Sequence, residues 1–451
     1  MRDMSRFLGV ALAIALALVT RAALADPAEQ RAYVIELITP GGPLPAVCEL
    51  QRVHSADGPD VWSAHFKNAK SVSVCHDVRV ETTHTDLWNV RHVRIEVLGA
   101  DSVLEWSEID RGWDEPARGS GTWTKRRNAD VHVVDVIVRE IGEVQYATLE
   151  GKLGVTPERF GAVGSGTGAE PAPFAGRWSA VFKGEEDPCV AQFEVDDHGF
   201  ATGTFITTTG DYRYLSGRVD GDLLRLSSFD ARDSYLFHAR LRADGTIAGD
   251  FWSGTWWHDT WTATRDENAS VNDGFSRTEW RGGATWDQLV FRTLDGDAQS
   301  VGDALDDLEA GGARATLLLL FGSWCANCAD AIEYLKELEG EHAGEGLRVL
   351  GLAFEYTGDM EHDARQVRLH EERQGTTWPV LVAGVSDKKK ASEAMPVLDR
   401  IRAFPTVVFL DSSREPIAVY SGFEGPATGE AYERLRARWE ALIGRLLGES
   451  P

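Results

Sequence analysis

Positive charge is what this chain has least of. Its 46 Lys and Arg stand against 71 Asp and Glu, a formal charge of −25. A surface this acidic repels phosphate backbones and anionic headgroups, so neither nucleic acid nor an anionic membrane is an expected partner. Long apolar runs are equally scarce. Phe7 to Val19 is almost all apolar, yet it falls short of the ~20 residues a spanning helix needs, and no later segment does better. Cysteine is sparse and odd in number: five occur, at 48, 75, 189, 325 and 328, so they cannot all pair internally. There is one C-x-x-C, with no second copy and no H-x-x-x-H downstream, which argues against a zinc site. Cys75-His76 lacks the preceding C-x-x of a haem attachment, and His76, His84 and His92 fit no compact ligand spacing. No metal and no cofactor is called for.

What the start of the chain has instead is an export pattern. Arg2 and Arg6 precede the apolar run, and Ala23-Leu24-Ala25 fits a small-x-small cleavage site before Asp26. Residues 1–25 are therefore expected to be a signal peptide. No cysteine stands at the cleavage point, so a lipoprotein anchor is not expected. The mature chain should be exported, to the periplasm or beyond, without stable membrane insertion.

Chemistry concentrates at Trp324-Cys325-Ala326-Asn327-Cys328. Ala315 to Phe321 ahead of it, with four consecutive leucines (Leu317 to Leu320) and then Phe321, reads as a buried strand. Ile332, Leu335 and Leu338 behind it recur on one face of a helix ending near Gly340. A cysteine that opens a helix meets unpaired N–H groups and the positive end of the dipole. Both stabilise a thiolate and lower its pKa below the free value of ~8.5. Cys325 is thus the expected attacking thiol and Cys328, one turn on, the resolving one. A second landmark is Phe404-Pro405-Thr406, leading into the apolar strand Val407 to Leu410.

Together these residues resemble the thioredoxin-like domain of TlpA/ResA-type thiol–disulfide oxidoreductases. The resemblance rests on Phe321 to Cys328, Gly351 to Tyr356 and Ala403 to Asp411, with Phe291 to Gly296 as an opening hairpin, and covers residues 285–451. The 80 residues from Cys325 to Pro405 leave room for an inserted helix, about Glu361 to Gln374, and a strand, Trp378 to Val382. It implies a cis Pro405 beside the dithiol, with Phe404, Pro405 and Thr406 forming a substrate-docking edge and Trp324 shaping the rim. It also implies protein thiol or disulfide substrates and an upstream electron donor, with reduction the favoured direction. Two positions depart from the family. Leu319 stands where thioredoxins carry a polar or acidic residue, and Ala331 where this group often carries glutamate. Asp330, Glu333 and Glu355 are the residues that could take over proton transfer.

The rest of the chain reads as β structure. Residues 26–150 hold short alternating runs, 151–172 are a Gly/Pro-rich linker, and 173–268 contain about eight evenly spaced strands with tight turns. The pattern predicts antiparallel, barrel-like modules ahead of a C-terminal α/β thioredoxin-like domain. Echoes such as Trp62 to Lys67 with Trp178 to Lys183 suggest that the two β regions are repeats. Cys48 and Cys75, both in strand-like segments, could form a structural disulfide, or they and Cys189 are buried, inert thiols. Trp252, Trp256, Trp257 and Trp261 are expected in the barrel core rather than on a ligand platform. The chief reading is an exported reductase of protein disulfides. The alternative is a ligand- or partner-binding protein whose thioredoxin-like domain is regulatory or vestigial.

Overall fold

The computed structural model describes residues 30–141 and 173–448, except 54–60, 69–70, 86–87, 98, 111–115, 128–129 and 186. The expected signal peptide and the 151–172 linker lie outside the described residues. Three sheets follow one another along the chain, two antiparallel barrels and then an α/β layer.

The first barrel closes eight strands in sequence order: β1 (Gln30–Thr39), β2 (Gly42–Val53), β3 (Val61–Asn68), β4 (Ser71–His84), β5 (Asn89–Val97), β6 (Ser102–Asp110), β7 (Arg118–Arg127) and β8 (Asp130–Ile141). Antiparallel pairing of β1 with β8 completes the ring. Alternate residues point inward, as the period of two demands, so Tyr33, Ile35 and Leu37 join Cys48, Leu50 and Phe66 in one core. Cys48 and Cys75 are both in that core, and both are free thiols. The possible disulfide between them does not form, for a geometric reason. Cys48 on β2 pairs with Phe66 on β3, whereas Cys75 on β4 pairs with Ala64. With β3 between them, their backbones stand about two strand spacings apart, ~9–10 Å, beyond the ~7 Å a disulfide spans.

The second barrel also has eight principal strands: β9 (Gly176–Phe182), β10 (Cys189–Val195), β11 (Phe200–Thr207), β13 (Leu215–Asp220), β14 (Leu223–Phe229), β15 (Ser234–Leu241), β16 (Ile247–Ser253) and β17 (Trp257–Arg265). A two-residue strand, β12 (Gly210–Asp211), folds back on the end of β11. Antiparallel β9–β17 and β10–β11 pairings close the ring. The two barrels share an up-and-down order, but Trp62 lies on the third strand of one and Trp178 on the first of the other. That echo therefore does not fall at equivalent places. The tryptophans separate as well. Trp261 sits in the core of its own barrel, Trp252 and Trp256 pack against the core of the first barrel, and Trp257 is 52 % exposed.

The turn between β14 and β15 stoppers the first barrel. Phe229 makes edge contacts with Phe66 and Trp123, at 5.5 and 5.1 Å between ring centres. The Trp123 indole N–H donates to the Ala231 carbonyl at 2.9 Å, and the Lys125 ammonium to that of Arg232 at 2.8 Å. The barrels are thus joined by a shared apolar core.

The last sheet has seven strands in the order β19-β18-β22-β21-β20-β23-β24. Their ranges are β18 (Val290–Thr293), β19 (Ala298–Ser300), β20 (Ala315–Phe321), β21 (Leu347–Glu355), β22 (Val380–Val385), β23 (Thr406–Leu410) and β24 (Pro416–Ser421). The helices are α1 (Val301–Ala310), α2 (Ala326–His342), α3 (Met360–Gln374), α4 (Lys388–Ala394) and α5 (Glu430–Leu447). β20 runs parallel to β21 and antiparallel to β23, buried on both faces, which is why Leu317 to Phe321 is an unbroken apolar run. Leu319 is one of these fully buried residues, and Ala331 on α2 is another. Leu435, Trp439 and Leu442 of α5 close one side of the core. No helix among the described residues is long and apolar enough to cross a membrane.

Candidate active site

β20 ends in Phe321, and the Gly322–Ser323–Trp324 turn delivers Cys325 to the head of α2. Cys325 is the helix N-cap: its backbone is extended (φ −87°, ψ 119°), and its sulfur accepts the Cys328 N–H at 3.2 Å. That is the place where a helix stabilises negative charge. Cys328, one turn on, is joined to Cys325 as a disulfide, with the two Cα atoms 5.2 Å apart. Cys325 is 7 % exposed and Cys328 0 %, so only the first of the two residues has any outward surface.

The loop before β23 forms the facing wall. The Phe404–Pro405 peptide is cis, and the Phe404 carbonyl oxygen lies 3.5 Å from the Cys325 sulfur. Thr406 ties the loop down, its hydroxyl donating to the Ala403 carbonyl at 2.9 Å and lying 3.1 Å from that of Ser421. Trp324 is fixed by an indole N–H bond to the Phe354 carbonyl at 2.9 Å, a stack on Tyr356 and an edge contact with Phe404. Its ring crosses Gly322 so closely that a Cβ there would collide with it.

The three acidic candidates go to different places. Glu355 ends β21 fully buried, accepting the Ser323 N–H at 2.8 Å and the Ser323 hydroxyl at 2.7 Å. Burial outweighs both bonds and pushes its pKa up to about 8, so the carboxyl holds a proton near neutrality. Asp330, on α2, pairs with Arg213 of the second barrel at 3.2 Å; burial raises its pKa, against the pull of that guanidinium. Glu333 is 59 % exposed and pairs with Lys336, away from the sulfurs.

No family model matches this chain, nor does any curated protein. Among solved structures, similar folds carry the titles of thiol–disulfide proteins and overlie about a third of it. One is a thiol:disulfide interchange protein of the thioredoxin family from Chlorobium tepidum, 20 % identical over 35 % of this chain and 92 % of its own, with a TM-score of 0.26. Another is StoA from Bacillus subtilis, at 16 %, 33 %, 92 % and 0.22. A third is a secreted disulfide oxidoreductase from Mycobacterium tuberculosis, at 15 %, 33 %, 94 % and 0.23.

The structure therefore gathers Cys325, Cys328, Trp324, Phe404, Pro405 and Thr406 at one place, with Glu355 behind Ser323. Beside these residues, and bonded to Ala326, Asp330 and Gly425 rather than to the sulfurs, lie two groups that the sequence did not single out, Asp211 of β12 and Arg213 just after it. They come from more than a hundred residues upstream, and nothing in their local pattern marks them.

Proposed function

We propose that this chain is an exported thiol–disulfide oxidoreductase, acting as a reductase of protein disulfides through Cys325 and Cys328. The observation that carries the reading is the Cys325 sulfur at the N-cap of α2, with Cys328 positioned to close a disulfide on it. In the reduced enzyme the Cys325 thiolate attacks a substrate disulfide; that S–S bond breaks, and one substrate thiolate leaves and takes up a proton. Cys328 then loses its proton and attacks the Cys325 sulfur, releasing the second substrate thiol and leaving the enzyme disulfide. The substrate gains two electrons, and a dithiol donor must restore the enzyme. Glu355 is the best placed of the three acids to exchange a proton behind the site, because it alone is both buried and bonded to the residue before Trp324.

Trapping tests this reading. Cys328→Ala should leave substrate covalently held on Cys325, and Cys325→Ala should hold none. If both variants capture nothing while the wild type adds nothing to the rate of disulfide reduction by dithiothreitol alone, the alternative of a binding protein with a vestigial dithiol takes its place.

A further inference from the structure

The head of α2, which Cys325 caps, is contacted from outside its own domain. The segment from Thr207 to Arg213, which links β11 to β13, lies across the head of α2 and the end of β24. Gly210 sits so close to Asn327, inside the C-x-x-C, that a side chain at 210 would strike its amide. Arg213 donates to the Ala326 carbonyl at 3.1 Å and pairs with Asp330 at 3.2 Å. Asp211 accepts the Gly425 N–H at 2.6 Å. The Thr208 carbonyl lies 2.9 Å from where a Cβ on Gly422 would be, and the Gly422 N–H bonds the Pro405 carbonyl at 2.9 Å. One short segment thus touches the residues following Cys325 and the chain paired with Pro405.

The segment is also held, not merely resting there. Arg277 bridges the Thr208 and Ser421 carbonyls, at 2.9 Å each, and pairs with Glu424 at 3.0 Å. Arg213 has φ 58°, a left-handed conformation that a non-glycine residue adopts only when its surroundings impose it; here Asp211 accepts its N–H at 2.5 Å. Outside the segment runs an open cleft of about 990 Å³, with Thr208 and Thr209 on one wall and Ile401 and Arg402 on the other.

We propose that Thr207 to Arg213 is a built-in cover of the dithiol that selects substrates by size. Small, flexible disulfides exchange with Cys325 in this closed arrangement. A disulfide in a folded protein exchanges only after Asp211 and Arg213 let go of the thioredoxin-like domain, because its backbone must cross the space the cover fills. The inference rests on the proposed exchange at Cys325 and narrows its substrates.

The test compares the full-length wild type with the double variant Asp211→Asn/Arg213→Gln, using dithiothreitol as donor and subtracting the rate of dithiothreitol alone. Insulin serves as the protein disulfide and oxidised glutathione as the small one. Opening the cover should raise insulin reduction roughly tenfold, the factor that one hydrogen bond to a charged group contributes to a closing equilibrium. Glutathione exchange should stay within about twofold, since it does not wait for opening. Unchanged insulin reduction in a variant that keeps glutathione exchange overturns the cover. If the wild type exchanges with neither substrate, it is the redox reading that fails, and the cover is then judged on alkylation of reduced Cys325, followed by peptide mass. N-ethylmaleimide should modify it faster than a maleimide carrying a long polyethylene glycol chain, with the gap narrowing in the double variant. Equal wild-type rates for both reagents overturn the proposal.

Discussion

Replacing Glu355 by glutamine isolates the energetic consequence of a buried carboxyl beside the dithiol. The group titrates near 4.5 in an unfolded chain and at about 8 in place. Between those values the folded protein keeps a proton that the unfolded chain has released. Stability therefore falls as pH rises through this window, and the loss is complete above the folded pKa. At about 1.4 kcal/mol per pH unit the full shift corresponds to roughly 5 kcal/mol, an upper bound that rearrangement around the ionised group would reduce to about 2–4. Glutamine reproduces the protonated form: its carbonyl can accept the Ser323 N–H, and its amide can donate to the Ser323 hydroxyl. Glu355→Gln should thus match wild type at about pH 5 and be more stable by about 2–4 kcal/mol at about pH 9. Urea unfolding of the oxidised protein at several pH values measures this. Asp211, buried and raised to about 7, carries the same sign, so the variant should still lose some stability up to near neutrality and then level off. Wild-type and variant curves that stay parallel between about pH 5 and 8 would refute the argument that burial holds a proton on Glu355. The same variant should also slow disulfide exchange if this proton serves the sulfurs, read from the rate against pH.

Other outcomes follow from the packing. Oxidised protein, denatured and titrated with a thiol reagent, should show three thiols, from Cys48, Cys75 and Cys189; a count of one would mean that the first two pair after all. In the native protein all three should resist alkylation, since burial pushes the Cys75 and Cys189 thiols up to about 12 and raises that of Cys48 as well. Phe229→Ala should destabilise the first barrel by about 3–5 kcal/mol although Phe229 belongs to the second, because its ring fills the first barrel's core. A change below ~1 kcal/mol in urea unfolding would mean that the stopper contributes little. Leu318→Ala, in the centre of β20, should cost about 2–5 kcal/mol by the same measurement.

Local pattern determined a great deal by itself. The run Ala315 to Phe321 is a strand in the sheet interior because five consecutive apolar side chains, Leu317 to Phe321, need cover on both faces, and β20 has the same bounds. The C-x-x-C heads a helix because the apolar period changes there, and α2 begins at Ala326, running two residues past the expected end at Gly340. Eight evenly spaced strands between tight turns were legible in the second barrel for the same reason: alternation and turn residues act over a few positions. The inserted strand was legible in kind but not in place, Val380–Val385 rather than Trp378 to Val382, since its ends are set by pairing with β21.

Tertiary structure alone decided everything that depends on distance through space. Whether Cys48 meets Cys75 turned on a strand lying between them, which no spacing in the sequence records. The four tryptophans from 252 to 261 divide among a barrel core, an interface between barrels and the surface, because neighbouring strand positions face opposite ways and only some meet another module. The fates of Asp330, Glu333 and Glu355 differ in the same way: Arg213 claims the first, Lys336 the second and Ser323 the third. The proposed cover over Cys325 is the largest such case, since Asp211 and Arg213 acquire their partners only when the second barrel docks on the C-terminal α/β domain. Sequence encodes propensity over a few residues; burial and charge pairing across modules arise only once the chain has folded back on itself.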